Sequence, residues 1–341
     1  MFGPSEISSQ AGATPYSGLS PDTVLDAVES LGLVCDGRLL ALNSYENRVY
    51  QVGLETDEPV IVKFYRPGRW SDEAIDEEHA FSQELVGAEL PVVAPTAFNG
   101  QTLHHFDSFR MAVFQRRGGH APEMSDEHVL RHLGRLMGRL HAVGASGAFR
   151  HRPELDPTRF AREPARWLLE NGWIPMELER SFSELTGHLL EAVDACWSRA
   201  GELRYIRLHG DCHPGNILWR DEGCHFVDLD DALSGPPIQD LWMFLSGERD
   251  EQTVQLNWLL EEYRRFAEFD PRQLHLVEPL RTVRLIYFNA WLARRWDDPA
   301  FPGAFPWFRD SRHWESVIIQ LQEQLSALQE PPLQLGGVAA P

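Results

Sequence analysis

Over the first hundred residues the apolar positions fall in short alternating runs. ALNSYENRVYQVGL and VIVKFYRP are β-type runs, and the polar ETDEP between them predicts an antiparallel hairpin. A short amphipathic helix precedes them, TVLDAVESLG, stopping at Gly32. Residues 71–90 carry Ser71 as a cap, acids in the first turn and Ile75, Phe81 and Leu85 on one side, which predicts a helix. TAFNGQTLHHF and FRMAVFQR are further strand candidates, the second ending before Gly118-Gly119.

From about residue 120 the spacing turns helical. Val129, Leu130, Leu133, Leu136, Met137 and Leu140 form one stripe. Residues 181–200, 251–269, 279–296 and 313–328 follow the same pattern, with one β-type island over 205–233. No internal repeat is present. The expectation is an α+β, bilobal fold: a small β-rich N-lobe over 21–115 and a larger, mostly helical C-lobe over 116–330. The Ser/Gly/Pro-rich residues 1–20 are expected to form a mobile lead-in, and 331–341 a loose tail.

Composition narrows the functional classes. With 43% hydrophobic and 24% charged residues the chain has material for a core and is not a disordered polymer. Its 51 acids against 31 basic residues give a net charge of −20, which disfavours nucleic acid and anionic lipid as partners. The four cysteines, Cys35, Cys196, Cys212 and Cys224, form no CxxC pair, which argues against a disulfide framework or zinc ribbon and for a reducing compartment. The N-terminus has no basic region followed by an apolar one, and no apolar run approaches the ~20 residues that span a bilayer. A cytoplasmic monomer without membrane contact is expected.

The chemistry concentrates in LHGDCHPGNILWRDEGCHFVDLDD, residues 208–231. ILW and HFVDL are β-type runs with DEG as a turn, so a hairpin brings Asn216 beside Asp228. Their hard oxygens suit Mg²⁺. Asp211 lies five residues before Asn216, close enough to face a nucleophile across from the metal. This is the logic of a kinase catalytic loop, with HGDxHxxN in place of HRDxxxxN and Gly210 where the arginine stands. His209 reads as a core histidine bonding loop backbone, and His213 as either structural or phosphate-adjacent. Asp230 and Asp231 read as a solvated acidic turn or as metal ligands. Cys212 has no constellation that would activate a thiol nucleophile.

Upstream, Lys63 lies on a strand between Val62 and Phe64, the setting of a lysine that contacts α/β-phosphates. An acid of the following helix should hold it: Glu78, with Glu77 as the fallback. The preceding NSYENRVYQV has no GxGxxG, so Ser44, Asn47 and loop amides are either phosphate donors or an ordinary turn. Phe114-Gln115-Arg116 is the expected hinge that meets adenine. Asp240 opens a helix, as its cap or as a brace for the catalytic loop. His128 and His132 read as a solvated helix face, and Trp242, Trp258, Trp291, Trp296, Trp307 and Trp314 as helix packing.

HGDxHxxN and FVDLDD resemble the catalytic and metal segments of the aminoglycoside phosphotransferase and choline kinase superfamily. Read with ALNSYENRVYQV, VKFYRPGRW, ELPVVAP, DLWM, ARRWDDPAFP and LQEPPLQL, the chain is similar to the bacterial stress response kinase A family over nearly its whole length. That resemblance implies a protein-kinase-like fold and a Ser/Thr protein kinase using ATP and Mg²⁺. It implies Asp211 as proton acceptor, Asn216 and Asp228 as metal ligands, and Ser44 as an ATP-site residue. Lys63, Glu78 and Gln115 complete the nucleotide set. Two other functions stay open: a kinase of a small hydroxylated or cationic metabolite, prompted by acidic stretches in 235–330, and a nucleotide-binding regulator without turnover. A metal-dependent phosphohydrolase is the least favoured.

Overall fold

The computed structural model describes residues 15–335, apart from 57, 221 and 222. Helix α1 (Pro21–Glu29) is capped by Ser20, whose side chain accepts from Thr23 N. Strands β1 (Cys35–Ala41), β2 (Arg48–Leu54) and β3 (Val60–Phe64) follow, then helix α2 (Asp72–Gly87) and strands β4 (His104–Phe106) and β5 (Phe109–Gln115). The strands form one antiparallel sheet in the order β1-β2-β3-β5-β4.

The two-residue period of the strands places the chemistry. Val52, Leu54, Val62, Phe64, Met111 and Val113 face α1 and form the lobe's core. Ile61 and Lys63 point the other way, into the interlobe cleft, together with Val49 and Phe114. Lys63 is opposite Val49 and Ala112 in the register. Helix α2 belongs to both lobes. Ala74 and Ile75 pack on Tyr65, Trp70 and Ala112, while Phe81 and Leu85 enter the large core of the C-lobe. Ser71 caps it as expected, accepting from Ala74 N at 3.2 Å.

The C-lobe begins with α3 (Glu127–Gly144), α4 (Glu163–Glu170) and α5 (Met176–Ala200). Two small antiparallel pairs follow: β6 (Ile206–Leu208) with β9 (Leu233–Gly235), enclosing the hairpin β7 (Ile217–Arg220) and β8 (Gly223–Phe226). Helices α6 (Ile238–Leu241), α7 (Arg249–Tyr263), α8 (Val277–Arg294), α9 (Ala300–Ala304) and α10 (Ser311–Ala327) complete it. Gly134 and Gly138 let α3 and α7 touch: a Cβ there would lie 2.2 Å from Leu259 O and 2.5 Å from Tyr263 O. The expected α+β, two-lobed architecture is what the chain adopts.

Several details differ from the sequence expectation. Residues 1–14 and 336–341 lie outside the described residues, so the lead-in and tail are seen only at their inner ends, and those ends are packed. The Tyr16 hydroxyl donates to Glu46 O at 3.0 Å, and Leu333 joins the main core. β1 and α4, with a π-turn over Thr158–Arg162 before it, were not anticipated. Of the helix-face histidines His128 is exposed as expected, while His132 is half-buried with its ring edge-on to Trp219 at 5.3 Å. Among the described residues no helix is long and apolar enough to cross a membrane.

Candidate active site

The catalytic loop leaves β6 and turns sharply at Gly210. Its φ is +86°, and a Cβ there would lie 2.1 Å from Asp231 O, so only glycine fits where a protein-kinase loop carries arginine. The fully buried Asp240 braces the turn, its two carboxylate oxygens accepting from His209 N at 2.9 Å and Gly210 N at 2.8 Å. His141 and Tyr263 support Asp240 in turn, with His141 Nε2 3.2 Å from the carboxylate and Nδ1 2.9 Å from the Tyr263 hydroxyl. Of the two readings for Asp240, the brace is the one observed; the N-cap of α6 is Pro237.

Past the turn, the loop folds on itself. His213 N donates to Asp211 O at 2.8 Å, and Asn216 Nδ2 to the same oxygen at 2.9 Å. The β7–β8 hairpin then returns the chain, and Val227 N donates to Asn216 O at 3.0 Å. Asn216 and Asp228 therefore stand side by side, as the spacing predicts. His209, fully buried, contacts Val227 O through Nε2 at 3.0 Å, the structural role expected of it. Cys212 is buried beside Met137, and burial pushes its thiol well up, away from a nucleophile's range.

Asp228 carries positive φ, +62°, unusual for a residue with a side chain, and such conformations gather at functional sites. Its side chain keeps 48% of its exposure, towards the cleft. Lys63 Nζ donates to Asp228 Oδ1 at 2.7 Å. Enclosure opposes ionisation of Asp228, yet Lys63 outweighs it and holds the carboxyl below its usual range. Burial likewise opposes the Lys63 charge, and Asp228, Asp230 and Glu78 raise its affinity for the proton above the ordinary lysine value.

Glu78 is near Lys63 but is not its bonded partner. Arg152 holds it, with Nη2 2.8 Å from the carboxylate. The same guanidinium reaches Ala74 O and Asp230 O, both at 2.7 Å, and lies over the Trp70 ring. A planar fork matches three acceptors at once, which an ammonium cannot do. Glu77, the fallback, accepts from the backbone N–H groups of Arg150, His151 and Arg152. Both acids anchor α2 to the C-lobe.

The loop between β1 and β2 is clamped by buried charge. Asp230 and Asp231 line the inner wall of the cleft but are no solvated turn: both are buried and pair with Arg69, and Asp230 Oδ2 also accepts from Asn47 Nδ2 at 3.0 Å. Asn47 is thus a structural bridge; it accepts from Arg66 N as well. Glu46 accepts from Trp291 Nε1 and pairs with Arg66 and Arg295, while Asp298 holds Arg48 and Arg66. Burial would push the Glu46 carboxyl up, but Arg295, Arg69 and Arg66 bring it down to about 2. Ser44 remains half-buried at the cleft wall.

The cleft has a volume of about 570 Å³. Leu42, Val49, Ile61, Phe114, Leu218 and Val227 supply its apolar walls, and Gln115 lies at the hinge end. Lys63, Asp211, Asn216 and Asp228 line its polar end, as does Ser44, so the sequence-predicted residues share one cavity apart from Glu78 behind it. Asn216 and Asp228 fit Mg²⁺: two hard oxygen donors side by side, one on a cleft-facing carboxylate. Among the described residues no group of three or more His, Cys, Asp or Glu forms a metal cage. That suits an ion whose remaining ligands are phosphate oxygens and water. Sequence reasoning missed Arg152, Arg284 and the clamp, although Arg66, Arg69, Arg295 and Asp298 stand inside VKFYRPGRW and ARRWDDPAFP.

A two-lobed cleft with a strand lysine, a braced Asp-x₄-Asn loop and a following aspartate defines an ATP-dependent kinase of the small phosphotransferase type. Residues 38–277 match the model of the phosphotransferase enzyme family (APH), and the chain belongs to that family, in its stress response kinase A branch. It is 47% identical over 323 residues to stress response kinase A of Escherichia coli (strain K12), covering 95% of this chain and 98% of that protein. It is 46% identical, with the same coverage, to the serine/threonine protein kinase RdoA of Salmonella typhimurium (strain LT2). Among solved structures, a microcompartment-associated aminopropanol kinase superposes with a TM-score of 0.67 at 18% identity, covering 92% of this chain and all of that one. The amicoumacin kinase hAmiN, in complex with AMP-PNP, Ca²⁺ and Ami, does so with 0.65 at 18% identity, over 88% and 93%. These two share the fold.

Proposed function

We propose that the chain transfers the γ-phosphoryl group of ATP, with Mg²⁺, to Ser and Thr hydroxyls of proteins, as a cytoplasmic kinase of a bacterial stress response. The observation that carries the transfer is that Asp211, Asn216 and Asp228 line one cleft with Lys63, on a loop tied by the Asn216 amide to the Asp211 backbone carbonyl and by Val227 N to Asn216 O. Asp211 orients the acceptor hydroxyl and takes its proton. Asn216 and Asp228 would hold Mg²⁺, which would supply positive charge against the phosphate oxygens. Lys63, now on Asp228, steadies the α/β-phosphates, Ser44 and the loop amides meet the phosphate end, and the hinge backbone at Gln115 meets adenine. Phosphoryl transfer rests on positioning and charge, and these residues supply both.

The protein acceptor is supported by the 46% identity to a protein named a serine/threonine kinase. Labelled ATP, offered with protein extract and separately with a panel of hydroxylated and cationic metabolites, tests it. Label entering proteins on Ser and Thr is the expected result. Label entering only metabolites assigns the chain to small-molecule kinases, and bound ATP with no transfer at all makes it a regulator.

A further inference from the structure

Asp211 is not free to receive a hydroxyl. Arg284 Nη1, from α8, pairs with its Oδ1, and His213 Nε2 is 3.5 Å from Oδ2. The two partners of the ion pair are unequally placed: the Asp211 side chain keeps 5% of its exposure and Arg284 keeps 30%. Arg284 is absent from the residues lining the nucleotide cleft, whereas Asp211, Asn216 and Asp228 all line it. The guanidinium therefore approaches the base from outside the ATP site, where the acceptor must arrive, and it contacts Met243 Sδ at 4.0 Å on that side. Arg281, one turn earlier on α8, is already neutralised by Glu278 at 3.2 Å. Arg284 has no acid but Asp211 among the described pairs.

An acceptor hydroxyl that takes Asp211 Oδ1 must displace this guanidinium, and because Asp211 is buried while Arg284 is 30% exposed, the loss lies between that of a surface pair and that of a buried one. An acceptor that brings its own anion removes the cost by exchange: its carboxylate or phosphate takes Arg284 while its hydroxyl takes Asp211. We infer that Arg284 selects acceptors whose hydroxyl has a negatively charged group beside it, so that the favoured Ser or Thr is flanked by Asp, Glu or a phosphorylated residue. The inference refines the protein-kinase reading above and rests on it for the word Ser or Thr. It runs against the expectation that acidic stretches of 235–330 attract amines, because the group nearest the base is a cation.

The test measures kcat/KM for a positional-scanning peptide library around a central Ser or Thr, with acidic, phosphorylated, neutral and lysine neighbours. Small hydroxy acids and matched amino alcohols form a second arm. The wild type should favour acidic over neutral neighbours by roughly 10- to 100-fold, the value of a charge-assisted hydrogen bond. In Arg284→Ala the ratio should collapse towards one, and in Arg284→Lys it should survive in part; Arg284→Gln serves where the alanine variant does not fold. A wild-type preference for neutral or lysine neighbours, or an undiminished ratio in the folded variants, overturns the inference. Peptides accepted with no anion preference sink the inference and leave the protein-kinase reading standing. Hydroxy acids accepted with an Arg284-dependent preference, and no peptide accepted, do the reverse.

Discussion

Replacing Glu46 by Gln probes how the phosphate-side loop is held without a glycine-rich cradle. Four arginines and four acids meet in the clamp: Arg48, Arg66, Arg69 and Arg295 with Glu46, Asp230, Asp231 and Asp298. The set is neutral, and Glu46→Gln leaves one buried positive charge in excess. Two estimates of the cost agree. Breaking a buried ion pair from one side costs about 3–5 kcal/mol. At about 1.4 kcal/mol per decade of proton affinity, a carboxyl lowered from 4.5 to about 2 carries roughly 3 kcal/mol. A folded-state value below the unfolded one means that this stability is present above pH ~4.5 and is lost as pH falls towards ~2. Urea unfolding at pH 7 should therefore show Glu46→Gln less stable by about 3 kcal/mol, and the gap should close on acidification. Calorimetry should show weaker ATP binding, since Glu46 and Ser44 share the loop. Stability within about 0.5 kcal/mol of wild type at pH 7, with unchanged ATP affinity, would refute the reasoning.

Three further outcomes follow from the same geometry. Asp240→Asn weakens the support of His209 N and Gly210 N, charge-assisted bonds of about 1.5–3 kcal/mol each, so kcat should fall at least tenfold while ATP affinity changes little, as steady-state kinetics and calorimetry will show. His79 is wedged between the Tyr65 hydroxyl at 2.7 Å and Thr102 Oγ1 at 2.8 Å, and burial, with Lys63 and Arg152 nearby, pushes its pKa down to about 3. It must stay neutral to fold, so its contribution is whole above pH ~6.5 and falls towards pH ~3; His79→Gln should flatten the pH dependence of urea unfolding across that window. Lys63→Met leaves Asp228 without its cation, and nucleotide affinity should drop at least tenfold by titration, with the fold retained by circular dichroism.

Much of this arrangement can be read along the chain because its parts are local. The β2–β3 hairpin, the capped α2 and the Asp211-to-Asp228 stretch each depend on residues within about two dozen positions. The brace at Asp240 was readable only as one of two roles, because an acid near a helix start satisfies both. The clamp was not readable in this way. Asn47 meets Asp230 across 183 positions and Arg48 meets Asp298 across 250, and no periodicity links them. Asp230 and Asp231 therefore read as a solvated turn or ligands, whereas both are buried against Arg69. Glu78 lies on α2 as expected, but the side chain that bonds it is Arg152, which arrives from the loop before α4. β1 escaped because a bulge between Cys35 and Leu39 breaks its alternation.

We propose above that Asp211, set in one cleft with Asn216 and Asp228, directs transfer of phosphate from ATP to Ser and Thr of proteins. Phosphosite mass spectrometry of a cell extract incubated with ATP, Mg²⁺ and either wild type or Asp211→Asn tests it most directly, with ATP affinity of both proteins measured alongside. New Ser and Thr phosphosites that depend on the wild-type enzyme, absent with an Asp211→Asn protein that still binds ATP, are the predicted result. Equal phosphosite sets with the two proteins would contradict it.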